Sequence, residues 1–555
     1  MNNICSKLLL LLAVACLFCA CSRVTRTESV NLEIKRPTLP VLTNKSINPT
    51  VCLSFILKDT ISYTIEEVEF DLKGTTNISD VVSMGLYGAN EKGLIDTTMV
   101  LGSFVGMSKK IAFKNSIQVD SDTFNIWVGV KLKDQVDLSH FVNINNINVI
   151  TSEGQLKTND AQKGNPLKVG AAVRQHMQDD VHTSRIPGIA TTNKGTLLAI
   201  FDARYESRRD LQGHMDIAMH RSTDNGETWE PMQIVQDMKE WGGLPQKFNG
   251  VSDACILVDK NSDAIYVAGL WMHGLLDENG KWVRNLENPD TPWKHRHQWN
   301  GNASQPGTDV KKTSQFLISK STDDGLTWSE PVNITSIKRP EWWLFAPAPG
   351  QGIVLDDGTL VFPTQGRDET GMPFSNITYS KDGGNTWTTS NPASRNTTEC
   401  NVVQLSDGSL MLNARDNQNR GNVEVNGRNI NVTSNLGEDW TEHPTSRKAL
   451  IEPTCMASLH KHFYEIDGQK VGVLLFVNPN NHAVRENITL KVSLDDGMTW
   501  PEEYWVVLDD HRGSGYSSIT SINEHTIGVL YESSQADLAF QQIDLATVLS
   551  SKASK

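Results

Sequence analysis

Five short segments of this chain repeat one pattern: Ser or Thr first, Asp or Asn third, Gly fifth and Trp eighth. They begin at Ser222, Ser321, Ser380, Thr433 and Ser493 and end at Trp229, Trp328, Trp387, Trp440 and Trp500. The fourth copy is degraded, with Asn435 and Asp439 where the others carry Asp and Thr. Each position suits a tight connection between two strands. The Asp accepts hydrogen bonds from the turn's own N–H groups, the Gly takes a positive φ, and the Trp buries an apolar face beneath the loop. The third positions, Asp224, Asp323, Asp382, Asn435 and Asp495, are 99, 59, 53 and 60 residues apart. The shorter intervals match a four-stranded propeller blade with its loops, and the longest leaves room for an unmarked blade or a large insertion. The copies predict a scaffold and carry no catalysis themselves.

The beginning of the chain reads as an export signal: a positive start at Lys7, then an apolar run from Leu8 to Leu17 too short for a permanent span. Its end, Ala20 before Cys21, resembles a bacterial lipoprotein processing site with Cys21 lipidated; an ordinary cleaved signal is the alternative. The expected destination is periplasmic, or the outer membrane or cell surface by a lipid anchor. Beyond the signal only Cys52, Cys255, Cys400 and Cys455 remain, widely spaced and without a metal-type C-x-x-C, so buried single thiols are expected.

A net charge of −14 without a basic block excludes nucleic acid and an anionic membrane surface as expected partners. An anionic substrate would need a local arginine cluster. Residues 22–170 carry short alternating runs such as Val51–Leu57, Val68–Leu72 and Phe124–Val130, which read as a β-sandwich. The polar stretch Thr158–Pro166 is the expected linker, and strand-like runs continue through residues 171–555. The expected fold class is all-β, a sandwich followed by a propeller.

Ser184-Arg185-Ile186-Pro187, followed by Gly195 and then Phe201-Asp202-Ala203-Arg204-Tyr205, resembles the opening of bacterial sialidases (exo-α-neuraminidases). Together with the four good boxes, the resemblance covers roughly residues 175–545 and implies a six-bladed propeller. Sialic acid carries a carboxylate on its anomeric carbon, and planar guanidinium groups suit it. By motif match the family's three arginines fall on Arg185, Arg415 and Arg485, and Glu532 matches the carboxylate bracing the first.

The substrate carboxylate would repel an anionic nucleophile, so a neutral phenol with a base beside it is preferable. The resemblance places these roles on Tyr516 and Glu399. The general acid lies in the segment after Arg204, where Asp210 and Asp216 are both candidates; Asp210 is chosen because Asp216 directly precedes a strand. Arg204 and Asp253 resemble residues that contact the hydroxyls and N-acetyl group. The implied reaction retains configuration through a covalent sialyl-tyrosine and needs no metal or cofactor.

His295-Arg-His297 is too sparse a pair to define a metal site. Trp271, Trp282, Trp293, Trp299, Trp342 and Trp343 read mainly as packing, with one or two left to stack on sugar. Two other readings share these residues: a trans-sialidase or anhydro-forming enzyme, and a non-catalytic sialoglycan-binding propeller. Presence of Asp210, Glu399 and Tyr516 beside the arginines favours an enzyme over the binding protein, whereas the trans-sialidase and anhydro-forming reading shares all of these residues and differs in water access.

Overall fold

The computed structural model describes residues 30–57, 62–106, 108–156, 164–210, 213–243, 245–273, 304–310, 312–422, 424–466 and 468–550. The export signal with Cys21, the pair His295/His297, and Trp282, Trp293 and Trp299 lie outside them. Two antiparallel sheets form the N-terminal part. One orders Val30–Lys35, Asn48–Leu57, Thr123–Leu132, Val81–Ala89 and Ile95–Val105; the other orders Gly154–Gln155, Asn145–Thr151, Tyr63–Asp71 and Lys110–Val119. Burial alternates along Lys110–Val119, so Ile111, Phe113 and Val119 face inward to meet Leu53, Phe55, Val128 and Val130.

Six four-stranded antiparallel units follow, and each box sits in the hairpin between a unit's third and fourth strands. In the first unit Thr183–Thr191, Leu197–Arg204, Met215–Ser222 and Gln233–Gln236 pair in sequence. The box Asp224 accepts from Thr228 N at 3.0 Å, and Ser222 Oγ accepts from Gly226 N at 2.8 Å. Gly226 has φ +94°, and Asn225 before it is also left-handed. Even the degraded copy keeps this geometry: Asn435 accepts from Asp439 N at 3.1 Å and Thr433 from Gly437 N at 3.0 Å.

Among the described residues, the long interval between the first two boxes holds one unit. Its strands Asn249–Val258, Ile265–His273 and Gln315–Ser321 precede the second box, and the extra length lies between the latter two. The sixth unit carries no box. Ser517–Ser521, Thr526–Tyr531 and Leu538–Asp544 are completed by Leu167–Arg174 from the other end of the domain, which pairs antiparallel with Leu538–Asp544. Neighbouring units pack strand on strand, the third reaching the fourth through Leu360–Arg367 and Pro373–Ser380, and Thr183–Thr191 touches both Ser517–Ser521 and Asn249–Val258, closing the ring. The chain is therefore an all-β sandwich and propeller.

The seam between sandwich and propeller is apolar and paired. Val41–Thr43 pairs in parallel with Leu167–Arg174, and Phe201 and Phe540 join the same buried cluster as the sandwich core. Cys52, Cys255, Cys400 and Cys455 are free buried thiols, and Trp271 and Trp342 are buried packing residues.

Candidate active site

One face of the ring holds a cavity of about 640 Å³ lined by Arg185, Asp210, Asp253, Glu399, Arg415, Arg485 and Tyr516. All seven stand on, or in the loops beside, the first or second strands of five units, with Asp210 in the loop after the first unit's second strand.

Arg185 sits at a bulge in its strand, beside Ile186 at φ +58°, a conformation that a β-branched residue rarely adopts. Glu532 accounts for it. Its carboxylate accepts from Arg185 Nε at 2.5 Å, Arg185 Nη2 at 3.2 Å, Ile186 N at 3.0 Å and Tyr516 N at 2.9 Å. Burial alone would push the Glu532 carboxyl up, but Arg185 and these donors hold it below the usual range. Glu532 thus braces the nucleophile candidate's backbone as well as the arginine.

Tyr516 is buried, and its hydroxyl donates to Glu399 Oε1. Arg415 Nη1 donates to Glu399 Oε2 at 2.7 Å and to the Tyr516 oxygen at 3.1 Å, while Arg415 Nε has no protein partner. The guanidiniums of Arg185 and Arg485 lie 5.4 and 5.5 Å from the Tyr516 ring centroid. Burial, then the Glu399 charge, push the phenol well above its ordinary value despite Arg415 and Arg485. The resting group is a neutral phenol with a base in contact. Gly515, at φ +94°, lets the chain pass; a Cβ there would stand 3.0 Å from Pro479 and 3.1 Å from Arg485.

A BNR repeat-like domain matches residues 186–532. A sialidase of Bacteroides fragilis (strain YCH46) is 36% identical over 572 residues, covering 98% of this chain and 99% of the relative. The chain belongs to the sialidase family. A sialidase of Paraclostridium sordellii is 26% identical over 73% of this chain and 93% of its own length. Among solved structures, the Hadza microbial sialidase Hz136 superposes with a TM-score of 0.82 at 32% identity, covering 93% of this chain and 99% of that one.

In this sialidase the remaining site residues form a second network. Arg204 is buried and donates to Asp202 Oδ2 at 2.9 Å and to Asp210 Oδ1 at 2.6 Å, and Arg185 Nη1 stands 3.9 Å from the same Asp210 oxygen. Partial desolvation in the cleft tends to raise the Asp210 carboxyl, whose side chain is still 61% exposed, but the two guanidiniums outweigh it and hold it low. Asp253, at φ +57° in a bulge, accepts from Gln365 Nε2 at 3.2 Å. Burial and the nearby Glu399, Asp202 and Asp210 charges push its carboxyl well above the usual range. Asp216 is not in the cleft; it accepts from the Tyr205 hydroxyl at 2.9 Å beneath the loop.

Sequence reading missed Gln365, Arg367, Asn396, Asn417 and Arg420 in the cavity wall. One signal was available: Arg204, Arg367 and Arg415 all fall at the ends of their units' second strands, Leu197–Arg204, Leu360–Arg367 and Leu410–Asp416.

Proposed function

We propose that this protein is a retaining exo-α-sialidase that releases terminal sialic acid from glycoproteins, glycolipids and oligosaccharides. The observation carrying this reading is the Tyr516 hydroxyl in contact with Glu399, inside a group of three arginines. Arg185, Arg415 and Arg485 grip the substrate carboxylate, which draws Arg185 away from Asp210. Freed from part of that field, Asp210 takes up a proton and gives it to the leaving oxygen. Glu399 accepts the phenol proton as the Tyr516 oxygen bonds to the anomeric carbon and the glycosidic bond breaks, and the arginines stabilise the charge.

Water then attacks the sialyl-tyrosine, giving its proton to Asp210. Glu399 returns the phenol proton, and two inversions leave the configuration retained. Asp253 meets the sugar's polar edge, while Arg204, buried and outside the cavity lining, positions Asp210. We take residues 22–170 as the sandwich unit and 171–555 as the catalytic propeller. The signal and Cys21 support an exported protein, lipid-anchored at the cell surface or in the periplasm.

The deciding experiment is hydrolysis of a fluorogenic sialoside by wild type and Tyr516→Phe, with the product followed by NMR. Early release of α-sialic acid, lost in the variant, supports the reading. An inactive wild type would favour a glycan-binding propeller, and an anhydro or transferred product would favour the transferase reading.

A further inference from the structure

Beneath the loop carrying Asp210 lies a cluster that the proposed reaction does not use. His214, Asp216 and Asp237 each place a nitrogen or carboxylate oxygen within 4.8 Å of the others. His214 Nε2 stands at ion-pair distance, 3.4 Å, from Asp216 Oδ2, and Asp216 Oδ1 is buried without a partner. Asp216 is only 3% exposed, so water does not reach the unmatched oxygen from outside. A gap of about 3.3–3.4 Å is the edge between two ligands of a tetrahedral ion with bonds of about 2.0–2.1 Å.

The surroundings hold these donors in place, as outer contacts do around bound ions. Tyr205 stacks on His214 at 4.2 Å between ring centroids and donates to Asp216 Oδ2 at 2.9 Å. Gln246 Nε2 donates to both Asp237 oxygens at 3.2 and 3.1 Å, and Lys239 N to Oδ1 at 2.7 Å. A further carboxylate, Glu206, packs against Gly213, 2.7 Å from where a Cβ would stand. Three carboxylates thus gather around one imidazole.

We propose that His214, Asp216 and Asp237 bind one divalent transition ion, with zinc as the best fit and water completing its shell. One imidazole with two carboxylates suits zinc, whereas calcium favours an all-oxygen shell. The ion would fasten the base of the Asp210 loop to Asp237, which directly follows the strand Gln233–Gln236. Binding is independent of the proposed reaction; only an effect on turnover through Asp210 rests on it.

The test uses the full chain, stripped with chelator and titrated with Zn²⁺, Mn²⁺ and Ca²⁺ by calorimetry, with metal counted by mass spectrometry. One zinc per chain is expected, bound at least tenfold more tightly than calcium. His214→Ala and Asp237→Asn should each weaken it at least tenfold. Asp237→Asn keeps the side chain's shape, and the Tm of stripped wild type should rise with zinc while that variant's does not. Binding well below one ion per chain, or equal binding by wild type and both variants, overturns the site. Turnover of a fluorogenic sialoside is read in parallel: if neither stripped nor loaded wild type is active, the proposed reaction fails while the titration still decides the metal.

Discussion

The Tyr516 hydroxyl donates to Glu399 across 117 positions of sequence, and Arg415 contacts both side chains. A carboxylate that already receives the phenol's proton-bearing bond needs no rearrangement to take the proton. Tyr516→Phe and Glu399→Gln should each lower kcat about 10²–10⁴-fold while leaving Tm nearly unchanged. Steady-state kinetics with a fluorogenic sialoside and a thermal melt check both.

Asp210 is tied to Arg204 and faces Arg185, and these guanidiniums hold its carboxyl low. Asp210→Asn should therefore harm slow leaving groups most. Sialyllactose turnover should fall at least tenfold further than that of an aryl sialoside, whose phenolate departs with little protonation. Equal losses on both substrates would remove Asp210 from the acid role.

Glu532 sets an acid limit on stability. Its folded pKa lies below its ordinary 4.5, so its contribution is fully present above about pH 4.5 and is lost as pH falls through the folded value. Glu532→Gln lacks that contribution. The Tm gap between wild type and variant should be widest near neutral pH and narrow as pH falls below about 4.5 toward the depressed folded value.

Arg428 and Glu452 form a fully buried pair under Arg415. Arg428 Nε donates to Asn413 Oδ1 at 2.6 Å, and Glu452 Oε1 accepts from Asp416 N at 2.7 Å, so both flanks of Arg415 are held. Arg428→Met leaves a buried charge unmatched and should cost about 3–5 kcal/mol in urea unfolding. The double change R428M/E452M should recover part of that loss.

Trp500 tests the boxes as pure scaffold. It is buried against Phe476, with ring centroids 5.9 Å apart. Trp500→Ala should cost about 3–5 kcal/mol of stability, while kcat/KM per folded molecule stays within about twofold.

The boxes were legible because their turn chemistry is local: an Asp, a Gly and a Trp within eight positions specify one hairpin. Motif resemblance pointed to Arg185, Arg415, Arg485, Glu399 and Tyr516, and these five line one cleft. Glu532's grip on the Tyr516 backbone was not legible, because it depends on a contact made only after folding. Nor were Gln365 and Arg420, which belong to no motif. The His214–Asp216–Asp237 cluster was hidden for the same reason: Asp237 comes from the next hairpin.

By itself, then, the sequence determined the repeating unit, the all-β class and the residue types a sialic acid carboxylate requires, since periodicity and side-chain chemistry act over short distances. Only the tertiary structure decided which of them meet. Arg185 and Glu532 lie 347 positions apart and join because Leu167–Arg174 closes the sixth unit with a strand from the other end of the ring. That closure converts scattered charges into one cleft, where burial and neighbouring guanidiniums set each group's protonation.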